Sequence, residues 1–261
     1  VLSVNGFRPT RKELWKLIYY YNWISPKVKL TLDLKSPSGE ARQLVIDTKL
    51  TKLKKSIDLA NTFDANAASR ESERYPIEKH YFQVVEDAIV WKIPTFSFDP
   101  RDVGGFIGKA RSKKHLILDL RGNGGGYVVT LDELASYFFD REVLIAENKE
   151  RKKIKPEKTK LKGGDVFKGK LIVLIDADSG SASEVFARLM QLEKRGVVLG
   201  DVSAGAVMES RYKKFWLSSD DFGGYGMSLT MADVIMPDGK SLERVGVIPD
   251  ELILPTGQDL A

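Results

Sequence analysis

Apolar and polar positions alternate or recur with a clear period over most of the chain. Val1–Asn5 is a short apolar run that ends in Asn5-Gly6, a turn signal. Thr10 and Glu13 fit a helix-capping box, and Leu14, Leu17, Ile18 and Tyr21 then recur at i, i+3, i+4 and i+7, which predicts an amphipathic helix. Val28, Leu30, Leu32 and Leu34 alternate with polar residues as in a half-buried strand; Ser36–Gly39 is a turn and Arg42–Asp47 a returning strand. Residues 51–77 are polar and mixed, and read as a linker with some helix. Beyond His80 the pattern becomes α/β. Tyr81–Val90 and Trp91–Phe98 read as strands, Asp102–Ser112 and Leu131–Phe139 as helices. Leu116–Leu120 and Leu171–Ile175 are continuous apolar runs, the mark of strands covered on both faces. A helix is expected from Ala182 to about Lys194, a strand at Val197–Leu199, and short strands from there to about Leu254.

The 261 residues allow one large domain or two. The absence of Cys excludes a disulfide framework, a thiol nucleophile and Cys-ligated zinc. His80 and His115 are the only histidines, so histidine-assisted chemistry within this chain has two candidates. The net charge of +5 is local: residues 149–170 hold ten Lys or Arg against three acids, which leaves the remainder slightly acidic. A basic run without interleaved aromatics or a recognition motif reads as a solvated hairpin or loop, not as a nucleic-acid site. No stretch is apolar for the 18 or more residues of a membrane span, and no signal peptide is evident. The chain opens on Val1, so processing or a longer parent protein is expected.

Two segments carry candidate chemistry. Asp119-Leu-Arg-Gly-Asn-Gly-Gly-Gly126 follows a buried strand, and its glycines let backbone N–H groups turn toward an anion or an oxyanion. It lacks the GK[ST] ending of a phosphate loop, and a tight strand-to-helix turn explains it equally well. Asp178-Ser-Gly-Ser-Ala-Ser-Glu184 joins a strand to a helix N-terminus, where free amides favour an alkoxide; Ser181 with Glu184 also reads as a plain capping box.

Residues 1–50, with their strand, helix and hairpin, resemble the second half of a PDZ domain, Val1-Leu-Ser-Val-Asn-Gly6 matching the strand before its long helix. Downstream, Asp119–Gly126, Gly180-Ser-Ala-Ser-Glu184, Gly200–Gly205 and Pro237–Asp250 resemble, in order and spacing, the C-terminal processing (tail-specific) serine protease family. That resemblance implies an α/β fold, a crotonase-like ββα spiral at 78–256 with a tail at 257–261, preceded by the partial PDZ-like α+β segment and the 51–77 linker.

The resemblance also implies roles. Ser181 is the nucleophile and Ser183 the second choice; the oxyanion hole is the N–H of Ala182 with that of Gly125, or otherwise Gly126. Lysine-type members carry a general-base Lys 25 positions after the nucleophile, where this chain has Ala206. Either the Lys has been replaced, or the chain resembles the tricorn-core-like branch, in which a histidine is the base and a glutamate, here Glu243, orients it. That histidine would precede Val1, since neither His80 nor His115 matches a family position. The implied activity is peptide-bond cleavage in unfolded or C-terminal segments of an exported, periplasmic or extracellular protein, with a polypeptide as partner and no metal or organic cofactor. The rival is a catalytically inactive homologue that binds peptides or lipophiles.

Overall fold

The computed structural model describes residues 2–8, 10, 16–17, 20–21, 25–36, 39–49, 80–216 and 224–254. Most of the helix expected over 14–21, and the linker, lie outside them. The chain divides into two compact units, an N-terminal one and one spanning Phe63–Leu254.

In the N-terminal unit, β1 (Ser3–Val4), β2 (Lys29–Lys35) and β3 (Ala41–Asp47) form an antiparallel sheet in that order. The Asn5-Gly6 turn takes positive φ at both residues, 47° and 80°, and returns the chain so that Val4 pairs with Phe7. β2 and β3 pair from Lys29↔Asp47 to Lys35↔Ala41, closed by a turn in which the Gly39 N–H donates to the Ser36 carbonyl at 2.9 Å.

The second unit is a mixed α/β body. Its strands are β4 (Tyr81–Val85), β5 (Ala88–Lys92), β6 (His115–Asp119), β7 (Leu144–Glu150), β8 (Ile154–Lys158), β9 (Lys170–Ile175), β10 (Gly196–Gly200), β11 (Glu209–Trp216), β12 (Gly224–Ile235) and β13 (Glu251–Leu252). The helices are α1 (Val103–Ala110), α2 (Val128–Ser136) and α3 (Ala182–Leu192). One sheet runs β13-β10-β9-β6-β5-β4, all parallel except the antiparallel edge strand β4. A second, antiparallel sheet runs β11-β12-β7-β8. Leu116, Leu118, Val173, Ile175, Phe186, Leu189 and Trp91 belong to one buried cluster that fills this unit.

Several sequence expectations shift. Tyr81–Val90 is not one strand: the chain reverses at Glu86-Asp87, with Val85 paired to Ala88 and Glu86 at φ 52°. Glycine or asparagine normally marks such a turn, and its absence hid the reversal. β6 and β9 are dry on one face only, Ile117, Ile172 and Leu174 on the other face being half-covered. The strands after Val197 include a long hairpin, β11 and β12, rather than only short pieces. The lysine-rich stretch runs through the β7–β8 hairpin, where Lys155 pairs with Glu150 at 2.6 Å, and on past β8, where Lys162 pairs with Glu133 of α2 at 2.5 Å. Among the described residues no helix is long and apolar enough to cross a membrane.

Candidate active site

The parallel register places the chemistry at one end of the sheet. β6 and β9 pair from His115↔Lys170 to Asp119↔Leu174, so the loops leaving both strands start side by side. The loop after β6 is the glycine-rich segment, and the loop after β9 leads into α3 through Ser181.

The glycine loop is held rigidly. Asp119 accepts two bonds from the Arg121 guanidinium, at 2.9 and 2.8 Å, and lies 3.3 Å from the Lys92 ammonium. Burial alone would raise its pKa; the Arg121 bonds and the Lys92 charge outweigh this and hold the carboxyl below the usual range. Asn123, fully buried, donates from Nδ2 to the Ile93 carbonyl at 2.9 Å. Its own carbonyl accepts the Gly180 N–H and the Ser183 hydroxyl, each at 2.9 Å, which fastens one loop to the other. Gly125 has φ 101°, and a Cβ there would lie 2.6 Å from the Ser181 Cβ. Only a glycine permits that approach.

Ser181 stands at the start of α3 with φ 54° and ψ −118°, a region rarely entered by a residue with a side chain. Ser181 and Glu184 face each other in the capping-box arrangement. The Glu184 carboxylate accepts the Ser181 N–H at 2.9 Å, but the Ser181 side chain makes no cap hydrogen bond. The Ser181 hydroxyl thus sits over the helix end without a hydrogen bond among the described residues. Ser183, the second-choice nucleophile, is buried with its hydroxyl donating to the Asn123 carbonyl. It is a fastener between loops and is not placed to attack a substrate.

The two oxyanion candidates from the glycine run separate clearly. The Gly125 N–H donates to Asn123 Oδ1 at 2.9 Å and so is engaged within the loop. The N–H groups of Gly126 and Ala182 have no acceptor among the described residues. Gly126, Ser181 and Ala182 together line one small pocket of roughly 40 Å³. Of the two glycines, Gly126 is the one whose N–H is left open, as is that of Ala182.

Glu184 is the residue whose importance the sequence understated. It is fully buried, and its Oε1 accepts the Ser203 hydroxyl at 2.6 Å and the Gly205 N–H at 2.7 Å. Its Oε2 accepts the N–H groups of Ser181, at 2.9 Å, and Ala206, at 3.0 Å. Sequence offered a signal: an acid in the first turn of a helix otherwise buried along Ala182, Val185, Phe186 and Leu189. The carboxylate gathers the 203–206 loop under the serine. Ala206 itself is exposed, and its carbonyl accepts the Ser181 N–H at 3.0 Å. Position 206 is thus beside the serine, and its side chain is a methyl group with no proton to exchange.

Glu243 reaches the same place. Its Oε2 accepts the Val207 N–H at 2.9 Å, while Oε1 has no partner among the described residues. Its segment docks on the 203–207 loop through Arg244 N–H to the Gly205 carbonyl at 2.7 Å and Val247 N–H to Ser203 Oγ at 2.6 Å. Glu243 forms no ion pair with Lys240 or Arg244 among the described residues, which removes the plain surface explanation.

Neither histidine serves this place. His80 Nδ1 accepts the Trp91 indole N–H at 3.1 Å, and its ring packs 4.5 Å from those of Phe98 and Phe106. Burial holds its pKa below the usual value. His115 opens β6, at the end of the parallel strands opposite the Ser181 loop, with about 13 Å of strand between it and Asp119. Among the described residues no cluster of His, Asp and Glu is placed to hold a metal.

Residues 89–253 match the model of peptidase family S41. The chain belongs to peptidase family S41. The S41 match covers all four segments just described. The chain is 30% identical over 166 residues to a tail-specific protease of Haemophilus influenzae, covering 62% of this chain and 24% of that protein. It is also 30% identical over 143 residues to the chloroplastic C-terminal processing peptidase of Tetradesmus obliquus, 54% of this chain and 29% of that protein. The chain thus spans about a quarter to a third of the length of these S41 relatives. In fold it is similar to the photosystem II D1 C-terminal processing protease, with a TM-score of 0.58 at 19% identity, covering 97% of this chain and 62% of that one.

Proposed function

We propose that this chain carries the nucleophile-bearing part of a serine endopeptidase. Ser181 attacks a peptide carbonyl, and the N–H groups of Ala182 and Gly126 receive the developing oxyanion. Glu243 offers its free Oε1 to the N–H of a histidine supplied by sequence before Val1, fixing the tautomer that accepts the Ser181 proton. The acyl-enzyme is then hydrolysed by water activated by the same histidine. The observation that supports this reading is the conjunction at one pocket: a serine in a strained turn, its hydroxyl without a hydrogen-bond partner among the described residues, beside two N–H groups without acceptors among them.

The substrate on this reading is an unfolded or C-terminal polypeptide segment. The β-hairpin of the N-terminal unit belongs to a PDZ-like module that captures such a segment by strand addition. The catalytic unit is a crotonase-like spiral, and the protein works in the periplasm or outside the cell.

One observation favours a second reading. Ala206 occupies the place of a lysine base, and no described residue replaces it. A protein without any base would bind peptides or lipophiles without cleaving them. A fluorophosphonate probe decides between the two on the full-length protein. Covalent labelling that is lost in Ser181→Ala, together with cleavage of an unfolded substrate, supports the peptidase. Binding of peptide without labelling or cleavage supports the binder.

A further inference from the structure

The pocket that Ser181, Ala182 and Gly126 share is more than a site for the carbonyl oxygen. It extends between α2, α3 and the β7–β8 hairpin, with Leu131 and Val185 among its apolar walls and Asn148, Glu157 and Glu209 as its polar residues. Asn148 is only 4% exposed. Its Nδ2 donates to Glu157 Oε1 at 2.7 Å, and its Oδ1 has no partner among the described residues although it is not sealed from solvent. A buried amide fixed at one end, with an unpaired acceptor on a residue that lines the cavity, offers a hydrogen-bond acceptor to whatever enters. Glu157 adds a second acceptor. Its carboxyl is pushed above the usual range by burial and by the charge of Glu209, and it pushes that of Asp132 up in turn. Glu157 and Glu209 both line the pocket, so an entering acid meets two carboxyl groups there.

Size narrows the occupant. At roughly 40 Å³ the cavity has room for a few waters, or for the three heavy atoms of a threonine or valine side chain, and not for a leucine, lysine or phenylalanine.

We propose that this pocket receives the side chain of the residue whose carbonyl Ser181 attacks, and that Asn148 and Glu157 select a short hydroxyl-bearing residue, threonine or serine, over its apolar isostere and over acids. The inference rests on the peptidase reading and names its substrate class. Threonine and valine have the same shape, so their comparison isolates the acceptors from the walls. A hydrogen-bonding pocket rejects an isostere that leaves its polar groups unpaired, and an admitted water moderates the penalty.

The test uses the full-length protein and unstructured peptides that differ only at the cleaved residue: Thr, Val or Asp. Initial rates at that bond are read by mass spectrometry. Thr is expected to be cut about tenfold faster than Val, and Asp at least tenfold slower than Thr. Asn148→Leu should bring the Thr-to-Val ratio close to one. Glu157→Gln, which keeps the pocket's size, should raise the rate at Asp relative to Thr, and it decides the matter if the Leu variant fails to fold. Equal rates at Thr and Val in the wild type, or ratios unmoved in these variants, overturn the pocket assignment while the peptidase reading stands. No cleavage of any peptide and no fluorophosphonate labelling overturn both.

Discussion

The Glu184 carboxylate lies 2.9 Å from the N–H of Ser181 and, through its two oxygens, also holds Ser203, Gly205 and Ala206. One buried acid therefore fixes both the strained serine and the loop beneath it. Each of its four acceptor sites is used by a donor from the chain. In Glu184→Gln, the amide NH₂ must face two of those donors. The variant is expected to lose on the order of 3 kcal/mol of stability, since buried donors are left unpaired. Its fluorophosphonate labelling of Ser181 should slow by more than tenfold. Urea unfolding and a labelling time course measure the two effects, and a variant as stable as wild type would remove Glu184 from this role.

Gly125 and Ser181 are packed too closely for any other residue. Gly125→Ala adds a Cβ that would stand 2.6 Å from that of Ser181, at a backbone φ of 101°. Turnover is expected to fall at least a hundredfold, with a stability loss of about 1–3 kcal/mol from the strained backbone. An alanine variant with wild-type kcat would show that the loop can retreat without moving the nucleophile.

For Glu243→Gln the two properties should part. The glutamine carbonyl can still accept the Val207 N–H, so the melting temperature is expected to stay within a few degrees of wild type. A glutamine cannot hold a histidine tautomer as a carboxylate does, and kcat is expected to drop by a hundredfold or more. Parallel melting and kinetic measurements check this; unchanged kcat would place Glu243 outside the mechanism.

Asp132, on α2, has a carboxyl pushed up to about 7 by burial and by the Glu157 charge, and its Oδ1 is sealed without a hydrogen-bond partner. The folded state thus holds a proton that the unfolded chain releases near its ordinary value of 3.8. Stability from this group is complete below that value, falls as pH rises toward about 7, and is flat above. Asp132→Asn should be more stable than wild type at pH 8, by about 1–2 kcal/mol after allowance for the side chain's partial exposure, and the gain should shrink toward pH 5. Denaturation midpoints at both pH values decide it; an identical gain at each would mean that Asp132 does not titrate in this window.

The four segments that carry the chemistry were legible as local patterns, because each combines a buried strand or helix start with a turn whose residues have special backbone needs. Glycines at 125 and 126 and a serine before an apolar helix are visible in one dimension. The β6 and β9 runs were legible as strands, although the structure buries only one face of each fully. What no local pattern could supply was the allocation of hydrogen bonds. Asn123 takes the Gly125 N–H, and this singles out Gly126 as the amide left open. Ser183 is spent on the Asn123 carbonyl, although in sequence it rivals Ser181. The Glu86-Asp87 reversal also went unseen, since its left-handed glutamate is tolerated only because the paired strands on either side enforce it.

Sequence by itself was enough for the mixed α/β class, which rests on periodicity, and for the family, which rests on its motif segments. Tertiary structure alone decided which amides remain free, that Glu184 is the fastening acid, and that position 206 lies against the nucleophile with only a methyl group to offer. The reason is physical: partners such as Ser183 and Asn123, or Glu184 and the 203–206 loop, are brought together by packing, and packing is a property of the whole folded chain.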